Sequence, residues 1–221
     1  MDAIECIITR RSVRKYKDKP VPWDMIATIL DAGRLAPSSG NIQSWKFIII
    51  REEEVRKQIA EASLQQHWMV QAPVHFAIIA VPEKVKRFYG VRGERLYAIQ
   101  NCAAAAENML IAAHALGLGA CWVSAFDEDM MRRALGLPEE VIPQAIITVG
   151  YAVEEPEPPP KNRAFAVFFV NRWGSRKHIP PSSWGWWSKR TEIYLKEGVK
   201  SLKKLHEQIS KKIKEKITRS Q

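Results

Sequence analysis

Residues 9–16, TRRSVRKY, set Arg10, Arg11, Arg14 and Lys15 around the hydroxyl of Ser12. Guanidinium groups are planar donor forks, and beside a hydroxyl they suit a single terminal phosphate. The same run also reads as a solvated basic loop. A second stretch, APSSGNIQSWKF at 36–47, is small and polar. Asn41 and Gln43 offer the paired donors and acceptors that read the amide edge of a heterocycle; alternatively the stretch only turns the chain from a helix into a strand. A third, PPKNRAF, carries Lys161 and Arg163 just after a proline-rich run, and a solvated surface loop is again the alternative.

Other chemistries lack support. There is no GxxxxGK phosphate loop and no GxGxxG after a strand, and GLGA at 117–120 follows a helix instead of opening one. The five histidines are scattered without metal-ligand spacing, and no GxSxG elbow is present. Cys6, Cys102 and Cys121 form no close pair, which argues against a disulfide framework or a thiolate zinc site and fits a reducing, cytoplasmic setting. The net charge is +10, but residues 189–221 hold eleven Lys/Arg against four Glu, leaving only +3 for the other 188 residues. A nucleic-acid groove across the main domain is therefore not expected.

The elements that must hold these segments alternate between helix and strand. A helix is expected over 2–9, then the cationic loop, then a helix from Pro22 to Leu35, opened by one proline and stopped by Pro37. WKFIIIR, PVHFAIIAVP, GACWVSAF and QAIITVGYA read as four strands. EEEVRKQIAEASLQQ and DEDMMRRALGL read as helices, with Asp127 as N-cap of the second. Residues 95–117 read as one long alanine-rich helix. The apolar run containing it is interrupted by Glu107, Asn108 and His114, so a buried core helix is favoured over a membrane span. EEPEPPPKNR is a surface loop and AFAVFFV a short edge strand. The pattern is α+β, without the glycine fingerprint of a doubly wound sheet. The expected organisation is a domain over 1–174 and an extension over 175–221, comprising a Trp-rich segment and a basic amphipathic helix at 190–218.

RRSVRKY near the N-terminus, APSSGNIQSWKF one helix later, AENMLIAAHALGLGACWV after mid-chain and a late K-x-R loop, in this order, resemble the nitroreductase family of flavoproteins over residues 2 to about 174. The resemblance implies an α+β sandwich with a mostly antiparallel sheet, two intertwined subunits and FMN in the dimer interface. It implies that Arg10, Arg11, Ser12 and Arg14 hold the FMN phosphate and ribityl chain, joined by Lys161 and Arg163. Pro37, Ser38, Ser39 and Asn41 match the segment laid against the isoalloxazine by the other subunit. Gln65, with Gln66 as the alternative, falls where the family places an amide near the pyrimidine edge. Trp122, Val123, Ser124 and Ala125 match the strand end that passes the reactive ring face, with the backbone N–H of Ser124 or Ala125 near flavin N5.

The activity so implied is hydride transfer from NADH or NADPH through flavin N5 to a small acceptor such as a nitroaromatic or a quinone, with no dedicated acid or base and no metal. The alternatives are a dehalogenating or flavin-destroying relative, or a flavin-binding sensor that uses its basic arm for contacts. Two features depart from the family pattern: Asn101 stands where the family often has an acid, and the extension is not part of the usual core. Trp184, Trp186 or Trp187 either reach the substrate side of the flavin or dock the arm on the protein.

Overall fold

The computed structural model describes residues 2–162 and 164–175. The chain divides into two units, Met1–Pro158 and Pro159–Gln221. The expected helix at 190–218 and Trp184, Trp186 and Trp187 lie outside the described residues.

In the first unit, four strands form one antiparallel sheet: β1 (Trp45–Ile50), β2 (Val74–Ala80), β3 (Gly119–Val123) and β4 (Ile142–Gly150), in the order β1-β2-β4-β3. β2 is central, and every residue in it is buried. Its alternating side chains divide between two layers. Phe76 and Ile78 pack with Ile26, Ile29 and Met109 on one face, and Ala77 and Ile79 pack with Ile59 and Met131 on the other. The first face is covered by helices α2 (Trp23–Arg34) and α5 (Ala98–Ala115), the second by α3 (Glu53–Ala62) and α6 (Glu128–Leu135). A strand buried on both faces reads as a continuous apolar run, which is why VHFAIIA shows no polar alternation, whereas β1, at the sheet edge, leaves Lys46 exposed. The result is the α+β sandwich with an antiparallel sheet that the family resemblance implies.

The ends of the helices follow local chemistry. Asp2 caps α1 (Ala3–Thr9) by accepting from the Glu5 N–H at 2.9 Å, and Asp127 caps α6 by accepting from the Met130 N–H at 2.7 Å. Three expectations are corrected. The long helix begins at Ala98; before it come a π-helical turn, Gly93–Tyr97, and a separate helix α4 (Pro82–Arg92) that periodicity does not reveal. Gly90, at φ 57° and ψ −146°, interrupts that stretch. The α3 helix stops at Ala62 instead of continuing through SLQQ, because Leu64 and Gln65 adopt left-handed φ values of 56° and 58°. In the second unit, residues 164–167 form a short helix, α7 (Ala164–Val167), not an edge strand. A strand needs a partner, and none of the described strands pairs with it, whereas alanine favours helix.

No helix among the described residues is long and apolar enough to cross a membrane.

Candidate functional site

The cationic stretch is not a free loop. Ser12 bridges Ala120 of β3 in parallel fashion, the Val13 N–H donates to the Ala120 carbonyl at 3.0 Å, and Tyr16 bridges Ala152. The Tyr16 hydroxyl donates to the Val13 carbonyl at 2.7 Å and meets Thr148 Oγ1 at 2.8 Å, and burial raises its phenol well above the usual range. The segment is therefore held at two places, residues 12–13 on β3 and residues 15–17 on the chain that leaves β4. The approach is close: a Cβ on Gly119 would lie 2.8 Å from Val13 Cγ2, so only glycine admits the segment here.

Ser12 and Arg14 are exposed, and the Arg14 guanidinium lies over the Trp68 ring, 5.7 Å from its centroid. Cys121 sits beside them; burial raises its thiol pKa, while Arg14 and a Ser12 hydrogen bond pull it down. Val13, between Ser12 and Arg14, is buried in a cluster with Tyr16 and Ala72. The Arg11 Nη1 donates to the Ile8 and Arg10 carbonyls at 2.9 and 2.8 Å, and its Nε is buried without a partner. The Lys15 Nζ pairs with Glu154 Oε1 at 2.7 Å, and the Arg10 Nε lies 3.8 Å from Glu107 Oε1. Arg11 and Arg14 thus have no carboxylate partner among the described residues, and of the two only Arg11 is committed to backbone carbonyls.

Arg10 and Arg11 also line a cleft of ≈ 460 Å³ with Thr9, His114 and Glu154. The His114 Nε2 is 2.7 Å from Thr9 Oγ1, and burial lowers its pKa.

At the other end of β3, Trp122 packs with the α2/α5 layer and Val123 with the α3/α6 layer, so neither side chain is free to face a ligand broadly. Ser124 and Ala125 follow and are exposed. The Asp127 N–H donates to the Ala62 carbonyl at 2.8 Å, which ties this loop to the end of α3. There the left-handed Gln65 is exposed, whereas Gln66 is half-buried and its Oε1 accepts from Trp68 Nε1 at 3.3 Å. The fold thus gathers Ser12, Arg14, Gln66, Trp68, Ser124 and Ala125 about β3 and the end of α3. Trp68 carries no signal in the sequence beyond its aromatic type.

The 37–43 segment lies elsewhere. It leads into Trp45 of β1, the opposite edge of the sheet, three inter-strand steps or roughly 14 Å away. Gly40, Asn41 and Gln43 all have positive φ, and non-glycine residues held there store strain that the surroundings must offset. Asn101 of α5 does so. Its Oδ1 accepts from the Ser39 N–H at 2.9 Å and from the Ser39 hydroxyl at 3.0 Å, and its Nδ2 donates to Ser44 Oγ at 2.9 Å. The Ser38 Oγ accepts from the Gln43 N–H at 3.0 Å, and the Gln43 amide turns back on Asn41. Pro37 and Asn41 are left exposed. Lys161, in the second unit, is exposed on an irregular loop, and Arg163 lies outside the described residues.

Comparison with known proteins bears on this arrangement. A model described as "Nitroreductase family" matches residues 7–68 and 63–151, which span the cationic segment, the strained loop and all four strands. The chain belongs to the nitroreductase family. A Methanothermobacter thermautotrophicus relative, provisionally named NADH dehydrogenase/NAD(P)H nitroreductase, is 38% identical over 162 residues, covering 71% of this chain and 80% of its own. An NADH dehydrogenase of Thermus thermophilus is 30% identical over 185 residues, 72% of this chain and 90% of its own. A solved FMN-dependent nitroreductase from Clostridium difficile superposes with a TM-score of 0.67 at 27% identity, covering 77% of this chain and 99% of that one.

Proposed function

We propose that this nitroreductase-family chain is an NAD(P)H-dependent oxidoreductase that uses FMN and reduces a small electron acceptor of the nitroaromatic or quinone class. When bound, FMN supplies hydride acceptance and donation at its N5. The protein supplies position and charge. Ser12 and Arg14, with Arg10 at the near end of the run, would hold the phosphate; Arg11 would act through the backbone that it clamps. Lys161 and Arg163 are the further cations proposed for that phosphate. The backbone of Ser124 and Ala125 would line the reactive edge of the ring, and Gln65 or Gln66 its pyrimidine edge.

The observation that carries this proposal is the cationic segment pinned to β3 at Ser12 and Val13, with the Arg14 guanidinium free of any carboxylate partner among the described residues. The donor set is of the right chemistry for a monophosphate next to a planar ring. Pro37, Ser38, Ser39 and Asn41 stand at the opposite sheet edge, so we assign them to the ring held by a second copy of the chain, which makes the working unit a homodimer. The strain in that loop fits a segment shaped for a ligand.

The purified protein should be yellow, and its flavin absorbance should bleach on adding NADH or NADPH and return with a nitroaromatic or quinone. Arg14→Glu should weaken FMN binding by at least about tenfold, the loss of one charge-assisted hydrogen bond. A colourless protein that cannot be reconstituted, or unchanged affinity in Arg14→Glu, would overturn the proposal.

A further inference from the structure

We propose that Trp68 is a positioning residue: it presents Gln66, not Gln65, as a hydrogen-bond donor to the ring of bound FMN, while holding Arg14 toward the same ligand. This rests on the FMN-dependent function proposed above.

Trp68 lies in the 3-10 turn His67–Gln71, half-buried, and packs against both the α3/α6 core and the small cluster of Val13, Tyr16 and Ala72. It is wedged between the sheet and the cationic segment, so its ring has little freedom. Its face lies under the Arg14 guanidinium at 5.7 Å and its edge points Nε1 at Gln66 Oε1 at 3.3 Å. An indole N–H can only donate, so the amide oxygen is the end that it holds. The Gln66 Nε2, with its two donors, is therefore turned away, and it has no partner among the described residues. Gln65, at φ 58°, is exposed, and its side chain has no hydrogen bond among the described residues. Of the two neighbouring amides, only Gln66 is fixed in orientation, and it is fixed as a donor.

The two groups that Trp68 steers have separable effects. The charge of the FMN phosphate is the same in both redox states, whereas the ring gains negative charge on two-electron reduction. A cation at the phosphate strengthens binding of both states equally. A donor amide at the ring strengthens binding of the reduced state more.

The test uses the full-length protein loaded with FMN. Affinity for oxidised FMN is read by fluorescence quenching, and the midpoint potential is read against a reference dye. Trp68→Phe keeps a ring under Arg14 but removes the N–H. Oxidised-FMN affinity should stay within about threefold, while reduced FMN should be held about tenfold less tightly, seen as a more negative midpoint. Gln66→Ala should reproduce that shift, and the double variant should show no more than either single one. Gln65→Ala should match the wild type. Trp68→Leu, which also removes the cation–π contact, should in addition weaken oxidised FMN by about threefold or more.

An unchanged midpoint in Trp68→Phe, additive shifts in the double variant, or a shift in Gln65→Ala would overturn the inference. If Trp68→Phe does not fold, the contrast between Gln66→Ala and Gln65→Ala decides it, both being outside the buried core. A wild-type protein that binds no FMN would instead defeat the proposed function.

Discussion

Asn101 offers a quantitative test of how the strained loop is held. Its amide sits at the base of the 38–44 segment, buried, and makes three hydrogen bonds: two from Ser39 and one to the buried Ser44 hydroxyl. Asn101→Leu keeps the branched shape and the number of heavy atoms but removes all three. The Ser39 groups are half-buried and can turn to water, so each loss there costs about 1 kcal/mol or less. The Ser44 hydroxyl has no such escape and, left unpartnered, costs about 1–3 kcal/mol. The sum is about 3 kcal/mol, and for a chain of this size each kcal/mol lowers Tm by about 2–4 °C. Thermal unfolding followed by circular dichroism should therefore show a fall of about 6–12 °C. Asn101→Asp is the informative partner. A carboxylate can accept from the Ser39 N–H, the Ser39 hydroxyl and a reoriented Ser44 hydroxyl, so it should recover more than half of the loss. A fall of under about 3 °C in the leucine variant, or an aspartate variant as unstable as the leucine one, would refute the idea that this amide holds the loop.

Three further outcomes are expected. His75 is wholly buried, its pKa pushed down to about 4 mainly by desolvation, with Arg56 adding to the effect. Because the folded state resists protonation there, its contribution to stability is full above the unfolded value near 6.5 and declines as pH falls toward 4, by roughly 3 kcal/mol in all; urea titrations at pH 7 and pH 4.5 should show His75→Gln losing less between the two than the wild type. Gly119→Ala forces a Cβ to within 2.8–2.9 Å of the Val13 side chain, so it should shift the 11–13 segment and weaken FMN about tenfold, while core stability falls by about 1–3 kcal/mol; fluorescence quenching and chemical unfolding read the two effects. Lys15→Ala removes an ion pair whose partners are both more than half exposed, so stability and FMN affinity should change by no more than a few tenths of a kcal/mol by the same assays.

The sequence by itself determined most of the helices and strands and their succession along the chain. Apolar runs at 45–50 and 74–80 identify strands, the second of them buried on both faces, and Asp127, Pro22 and Pro37 mark helix ends, because these signals act through neighbouring residues or through burial of whole segments. The order of RRSVRKY, APSSGNIQSWKF, AENMLIAAHALGLGACWV and the late K-x-R loop was likewise enough to indicate the family. Tertiary structure decided which of those residues can act together. Arg11 and Arg14 are the same residue type three positions apart, yet one clamps its own backbone and the other lies over Trp68, a ring supplied from more than fifty residues along the chain. Gln65 and Gln66 are equivalent in the sequence and become distinct only when α3 ends in two left-handed residues and the Trp68 ring arrives from the next turn. Asn101 reads as a polar interruption in an alanine-rich helix until the fold sets Ser39 and Ser44 against it. Propensity and pattern are local quantities, whereas side-chain partnership depends on contacts between segments tens of residues apart, and only the packed chain makes those.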